Sequence, residues 1–285
     1  MSGLAGKLTR MLLWVAGTAV GLVIISAIAL YFLQGRLIFF PLPSLSQTPE
    51  DWKLPYENAF INVTPTERIH AWYFPVDTNA KTIVLCHGNA GNIAYRIESA
   101  AYWVSLGANV LLFDYRGYGQ SEGSPGEEEC YDDAMAAVNW LRETRQVPLD
   151  HIILFGRSLG GAVAVETATR IKCSGLVVES SFTSAADMGR RMFPFLPIHW
   201  LIRYHFDSLS KIGSITCPIL VTHSPEDEIV PYDMGRTLFE AARAPKRFVQ
   251  LSGGHNDREY YDNPLYRESL LSLIHGTAAT DFSAR

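Results

Sequence analysis

"HIILFGRSLGGA", residues 151–162, decides the fold. Its first part is apolar without alternation, which suits a strand buried on both faces, as in a parallel sheet. Its last part opens a helix. Between them stands Gly156-x-Ser158-x-Gly160. A serine on a sharp strand-to-helix turn needs small residues two positions away on each side, or the turn cannot close. Gly156 and Gly160 meet that need, and Gly161 and Ala162 keep the helix close to the sheet. Ser158 then projects over the C-terminal edge of the strands, where open α/β sheets bind their ligands. Taken alone, the motif also fits a Gly-Ser turn without chemistry; the strand before it and the helix after it favour the first reading. It is not a phosphate loop, because no Gly-Lys-Ser/Thr ending follows.

The same rhythm continues outward. "KTIVLCH" (81–87), "NVLLFDY" (109–115), "GLVVES" (175–180), "PILVTH" (218–223) and "RFVQLS" (247–252) are further short apolar runs. Helical stretches separate them, most clearly 127–145, where Ala134, Ala137, Val138 and Leu141 recur at helical spacing. "NAFINV" and "IHAWYF" predict an antiparallel start. The predicted class is α/β: a mostly parallel central sheet with helices on both faces and right-handed crossovers. Residues 182–212, with "MFPFLPIHWLIRYHFDSL", exceed a simple crossover and read as a short lid insertion. The expected organisation is a stub and membrane anchor over 1–34, a Pro- and Ser-rich linker over 35–55, the catalytic domain over 56–276 and a tail over 277–285.

The anchor reading rests on residues 11–33, "MLLWVAGTAVGLVIISAIALYFL", which carry no charge. About 23 residues span roughly 35 Å as a helix, enough for a hydrocarbon core of about 30 Å. A cleaved signal peptide is the alternative, with Ala27-Ile28-Ala29 as the cleavage site, but the run is long for one and continues past that site. Lys7 and Arg10 precede the run, and Arg36 alone follows closely. That places the N-terminus in the cytoplasm and the domain outside it, periplasmic in a bacterium; in a eukaryote Asn62-Val63-Thr64 becomes a lumenal glycosylation candidate. A net charge of −5 argues against nucleic acid as a partner. The four cysteines lack metal-type spacing and read as free thiols. Nothing in the composition fixes an oligomeric state.

Ser158 as a nucleophile needs partners. Two backbone N–H groups should hold the substrate oxyanion: Leu159, just after the serine, and one from the loop after the third strand, "HGNAGN" (87–92), where Asn89 is the candidate. His87 reads as a turn residue. A base and a carboxylate should follow in the order Ser, acid, His. Asp227, in "HSPEDEIVP" (223–231), is the acid; Glu226 and Glu228 read as exposed acids beside it. Among later histidines, His275 reads as a helix C-terminal residue. His255, in "SGGHND" (252–257), follows the last strand in a loop freed by Gly253-Gly254 and is the base; Asn256 and Asp257 are read as capping the final helix. "DYRGYGQSEG" (114–123) reads as a rigid loop pinned by Asp114 and Arg116.

With "HGNAGN", "DYRGYGQSEGSPGE", "GRSLGG", "FDSLSKI", "HSPEDEIVP" and "GGHND" in this order, residues 36–275 and the apolar N-terminus resemble the α/β-hydrolase superfamily and, within it, the Bem46-like membrane-anchored serine hydrolases. The resemblance implies Ser158 as nucleophile, Asp227 as acid and His255 as base. Some relatives are similar to acyl-protein thioesterases. The expected activity is hydrolysis of carboxylic ester or thioester bonds through an acyl-enzyme, with no metal and no cofactor, on a small-molecule, lipid or acyl-protein substrate near a membrane. A peptidase of the same fold and a non-catalytic membrane scaffold are the alternatives. Phe193, Phe195, Leu196, Trp200 and Leu201 of the lid and "LIFF" (37–40) form either a route for acyl chains or ordinary core packing.

Overall fold

The computed structural model describes residues 2–194, 198–257 and 259–283. Along the chain come helix α1 (Ser2–Ile38), strands β1 (Glu57–Asn62), β2 (Arg68–Phe74) and β3 (Thr82–Cys86), helix α2 (Ile97–Ser105), strand β4 (Asn109–Phe113), helix α3 (Glu127–Thr144), strand β5 (Ile152–Arg157) and helix α4 (Leu159–Arg170). Strand β6 (Gly175–Glu179) leads to three short helices, α5 (Ala185–Met192), α6 (Ile198–Leu201) and α7 (Leu209–Ile212). Then follow β7 (Ile219–His223), α8 (Tyr232–Ala241), β8 (Lys246–Gln250), α9 (Pro264–His275) and α10 (Ala278–Asp281).

The eight strands form one sheet in the order β8-β7-β6-β5-β3-β4-β2-β1. The pairs β1–β2 and β2–β4 are antiparallel; all the others are parallel. Both faces of the parallel strands are buried, and the two-residue period of a strand sorts their side chains between two cores. Val84, Leu111, Leu154, Leu176 and Ile219 point to one, with α3, α4 and α8. Ile83, Val110, Ile153, Val177 and Leu220 point to the other, with α2 and α9. This is why the runs are apolar without alternation. Order reverses around β3, so the C-terminal ends of β3 and β5 flank the crevice where such sheets bind ligands.

Two expectations change. The segment 35–55 is not a free linker. Helix α1 continues to Ile38, Phe40–Pro41 pairs in parallel with Ala90–Gly91, and a turn of 3-10 helix occupies Pro49–Trp52. The tail is also attached: Ala278 and Phe282 are buried against the α9 side. The four cysteines are free and buried, but Cys173 and Cys217, ahead of neighbouring strands, bring their sulfurs to 3.3 Å.

Candidate active site

Ser158 caps β5 with φ +55° and ψ −123°, a conformation disfavoured for a side chain bearing Cβ. Such strain costs of order 1–3 kcal/mol and persists only where neighbours over-determine it. Here the Ser158 N–H donates to Glu179 O at 3.0 Å, and Ser158 O accepts from Gly161 N at 2.9 Å and Ser181 Oγ at 2.8 Å. The glycines follow from close approach. A Cβ on Gly156 would lie 2.1 Å from Gly160 O, and one on Gly160 would lie 2.0 Å from Cys86 O. Leu159 is the first residue of α4, whose leading N–H groups lack intrahelical partners and carry the positive end of the helix dipole.

The loop after β3 brings Gly88 beside the serine: a Cβ there would sit 3.6 Å from Ser158 Cβ. The buried His87 ring fixes the next peptide. Its Nδ1 lies 2.7 Å from Gly88 O, which makes Nδ1 the donor, and its Nε2 lies 3.3 Å from Asp114 Oδ1. Because the N–H and C=O of a trans peptide point opposite ways, the Asn89 N–H is aimed away from the His87 ring. Burial pushes the Asp114 carboxyl up, against the pull of His87 and the Ile93 N–H. Arg116 pins the following loop through its Nε and backbone N, both 2.7 Å from Asp133 carboxylate oxygens.

Asp227 lies in the turn after β7, its carboxylate fully buried. Oδ1 accepts from the N–H groups of Ile229 and Val230 at 3.0 and 2.7 Å. Oδ2 lies 2.8 Å from His255 Nδ1 and 3.2 Å from Nε2 of His223, the last residue of β7. Burial alone would raise this carboxyl, but the bonds from His223 and His255, the His255 charge and the Val230 N–H outweigh it and hold it well below the usual carboxylate range. The His223 ring is buried, with Nε2 also 2.9 Å from Val230 O; both neighbours accept, so Nε2 carries the proton.

His255 rests in a tightly held loop. Glu228 Oε2 accepts its N–H at 2.9 Å, and Glu226 Oε2 accepts Gly253 N at 2.6 Å. These two acids, read as surface decoration, therefore grip the histidine loop through backbone bonds. The glycines are also more constrained than a freed loop implies: Gly253 has φ +84°, and a Cβ on Gly254 would meet Glu228 Oε2 at 2.7 Å. Asp257 does not cap the last helix. Its Oδ2 accepts Gly254 N at 2.7 Å and closes this turn, while Asn263 caps α9. Arg157, within the serine motif, donates to His255 O, and its Nε lies 3.7 Å from Glu179 Oε1. Arg157 and His223 were missed because an arginine inside the motif and a histidine ending a strand each have an ordinary local reading.

Ser158, Leu159, Asn89 and His255 line one cavity of about 820 Å³, with Asp227 behind His255. That volume lies in the usual range for ligand sites, about 300–1,000 Å³. Most of the cavity's other walls are apolar: Phe182, Met188 and Ile198 from the lid, and Leu30, Leu37 and Phe40 from α1 and the segment after it, with Gln34, Arg96, Arg157 and Asn256 as polar lining. Of the lid residues singled out above, Phe193 and Leu201 line the cavity; Phe195 and Leu196 lie outside the described residues, as does the side chain of Trp200. Among the described residues no group of three or more His, Cys, Asp or Glu side chains is arranged to hold a metal ion.

The chain matches the alpha/beta hydrolase fold family over residues 81–197. It is 38% identical over 253 residues to the Mycobacterium tuberculosis protein Rv2307c, covering 86% of this chain and 88% of that one. It is 34% identical to the alpha/beta hydrolase domain-containing protein WAV2 of Arabidopsis thaliana, with 89% and 91% covered. It is 32% identical to a yeast protein named as a membrane protein, YNL320W, with 88% and 92% covered. Among solved structures, the Pyrococcus furiosus esterase Pf2001 superposes with a TM-score of 0.68 at 20% identity, over 84% of this chain and 98% of that one. At that identity the likeness speaks for the fold.

Proposed function

The chain belongs to the α/β-hydrolase family, and from that premise we propose that it is a serine hydrolase that cleaves carboxylic ester or thioester bonds through an acyl-enzyme. The carrying observation is the 2.8 Å contact between His255 Nδ1 and Asp227 Oδ2 beside the strained Ser158 turn. With Nδ1 held by the carboxylate, Nε2 is the ring nitrogen left to take a proton. Ser158 Oγ attacks the substrate carbonyl carbon as its proton passes to His255 Nε2. Negative charge collects on the carbonyl oxygen, where the N–H groups of Asn89 and Leu159 receive it. The tetrahedral adduct collapses, the bond to the alcohol or thiol breaks, and His255 gives the leaving group its proton. Water then attacks the acyl-serine with His255 again as base, and the carboxylic acid leaves.

The mostly apolar walls suit acyl groups, and α1 supplies the setting. Thr9–Ile38 is a thirty-residue segment, long and apolar enough to cross a bilayer. We read it as a retained anchor, with the N-terminus cytoplasmic and the domain on the other side, acting on lipid-like or acylated substrates at the membrane, as the Bem46-like resemblance also suggests. Full-length chain in detergent should be labelled by a fluorophosphonate and should hydrolyse p-nitrophenyl esters. Ser158→Ala should abolish labelling and lower kcat by roughly 10⁴-fold or more, the scale seen when a triad nucleophile is removed. Labelling that persists in the variant would refute the assignment.

A further inference from the structure

Helix α1 is longer than a bilayer requires. Starting after Arg10, about 20 residues at 1.5 Å each cover the roughly 30 Å hydrocarbon core, which brings the helix to Leu30. Tyr31 and Phe32 then fall where aromatic side chains favour the membrane–water interface, and Arg36 falls among headgroups. The two turns left over, through Ile38, do not stand free. Leu30, Gln34, Leu37 and Ile38, one face of the helix, line the cavity that holds Ser158 and His255.

Gln34 fastens this face to the lid. Its Nε2 donates to Leu201 O at 2.5 Å, and its Oε1 accepts Arg203 N at 2.8 Å. The side-chain amide thus satisfies two lid backbone groups while being 8% exposed itself. A Cβ on Gly35 would come within 3.1 Å of Tyr204 Oη, and Phe39, buried just beyond the helix, meets the Tyr204 ring edge-on at 5.4 Å. At the cavity's edge Leu37, Phe40, Met192, Phe193 and Ile229 are largely exposed. An apolar rim of that kind beside a membrane helix suits contact with lipid rather than water.

We propose that the C-terminal end of α1, from Leu30 to Ile38, is the specificity-determining wall of an acyl-chain site, with Gln34 as the positioning residue that holds the lid against it. The ligand is a linear acyl chain, lying between α1 and α5, with its carbonyl at Ser158. It reaches the cavity at the depth where membrane-held ester and thioester carbonyls lie. The anchor is then part of the binding site and not only a tether. The proposal rests on the serine-hydrolase reading, and its test separates the two.

The full-length protein in vesicles should be assayed against p-nitrophenyl esters from acetyl to hexadecanoyl. In the wild type kcat/KM should climb with chain length by up to about fourfold per methylene, the transfer free energy of one CH₂, until the cavity is full. Leu30→Trp and Leu37→Trp, which fill the wall, should lower the dodecanoyl-to-butyryl ratio at least tenfold. Phe32→Trp, on the outward face at the same depth and 70% exposed, should leave that ratio unchanged. Gln34→Leu should raise KM for dodecanoyl esters with a smaller change in kcat. A fluorescent long-chain fatty acid should bind Ser158→Ala but bind Leu30→Trp at least tenfold more weakly, a readout independent of chemistry. Ratios unchanged in the wall variants, or equal losses on short and long esters, overturn the proposal. Fatty-acid binding without any labelling or turnover in the wild type overturns the serine-hydrolase reading and leaves the chain site standing. A palmitoyl monoglyceride and an S-palmitoyl peptide, each in phosphatidylcholine vesicles, distinguish a lipid from an acylated protein as the source of the chain. Turnover of either supports the site, and turnover of neither alongside rapid acetyl-ester hydrolysis refutes it.

Discussion

His223 shows how much of the site depends on one side chain that does not enter the cavity. Its Nε2–H is shared between Val230 O at 2.9 Å and Asp227 Oδ2 at 3.2 Å, so it fixes the turn and the carboxylate together. Gly235 covers the other ring nitrogen: a Cβ there would lie 2.3 Å from His223 Nδ1. The ring therefore has one orientation and one tautomer. A hydrogen bond to a charged group contributes about 1.5–3 kcal/mol, so His223→Phe should lower kcat/KM by roughly 10- to 100-fold. Asp227 keeps its other donors but loses part of what depresses it. Because the folded carboxyl lies below its unfolded value, its contribution to stability is present above the ordinary carboxylate range and lost as pH falls through the folded value. In His223→Phe that contribution should be smaller, and its loss complete at a higher pH. An acid titration followed by circular dichroism checks it, and an unchanged midpoint with unchanged kcat/KM would show that His223 merely fills space.

Among the elements, the segment after α1 and the loop after β3 act as one unit. Phe40 N donates to Asn89 O at 2.9 Å, Leu42 N to Gly91 O at 3.0 Å, and Asn89 Nδ2 to Ile38 O at 2.9 Å. Asn92 closes the unit: its Nδ2 donates to Leu42 O and Ser44 O, both at 2.8 Å, and its Oδ1 accepts Ala94 N at 3.0 Å. Asn92→Ala orphans these groups, each worth about 1–3 kcal/mol when buried, so the variant should lose about 2–4 kcal/mol of stability. Its kcat should fall more than its KM rises, because the Asn89 N–H is needed most in the transition state. Urea titration and short-ester kinetics measure both, and full stability in the variant would contradict this account. The strands and the Ser158, Asp227 and His255 loops were legible in the sequence because each is a local pattern: an apolar run, then glycine or acid at a sheet edge. The docking of 38–44 was not, since it uses backbone groups and two asparagines fifty residues away, which leave no periodicity. Glu226 and Glu228 are exposed, as read, but the backbone N–H groups they accept were not legible for the same reason, because such an acid looks like any other surface acid.

At the scale of the whole molecule, one sheet joins the antiparallel edge to the Ser158, Asp227 and His255 loops, and His70 on β2 is one place where pH acts on that connection. Its C=O accepts the Asp114 N–H and its own N–H donates to Ser121 Oγ, each at 2.9 Å, so it helps carry the loop whose Asp114 steadies His87. Its ring is buried between Phe60 and Trp72, at 5.1 and 5.6 Å, with Nε2 2.6 Å from Asn58 Oδ1. Asn58 Oδ1 only accepts, so Nε2–H donates, and a second proton would have to sit on Nδ1, which has no partner among the described residues. Burial lowers the His70 pKa from 6.5 to about 4. The unfolded chain therefore takes up a proton as pH falls below 6.5 while the folded chain stays neutral down to about 4. The His70 contribution to stability should be full above that window and decline through it, by at most about 3 kcal/mol at 1.36 kcal/mol per unit. Asp227 adds its own loss only at lower pH, whereas the buried carboxyls of Asp133, raised to about 7, and Asp114 take up protons first in the folded chain and work against the His70 decline. His70→Gln, which keeps a donor for Asn58, should flatten the stability profile between pH 6.5 and 4.5 in urea titrations of the detergent-solubilised chain. The wild-type slope surviving in that variant would assign the acid sensitivity to another group.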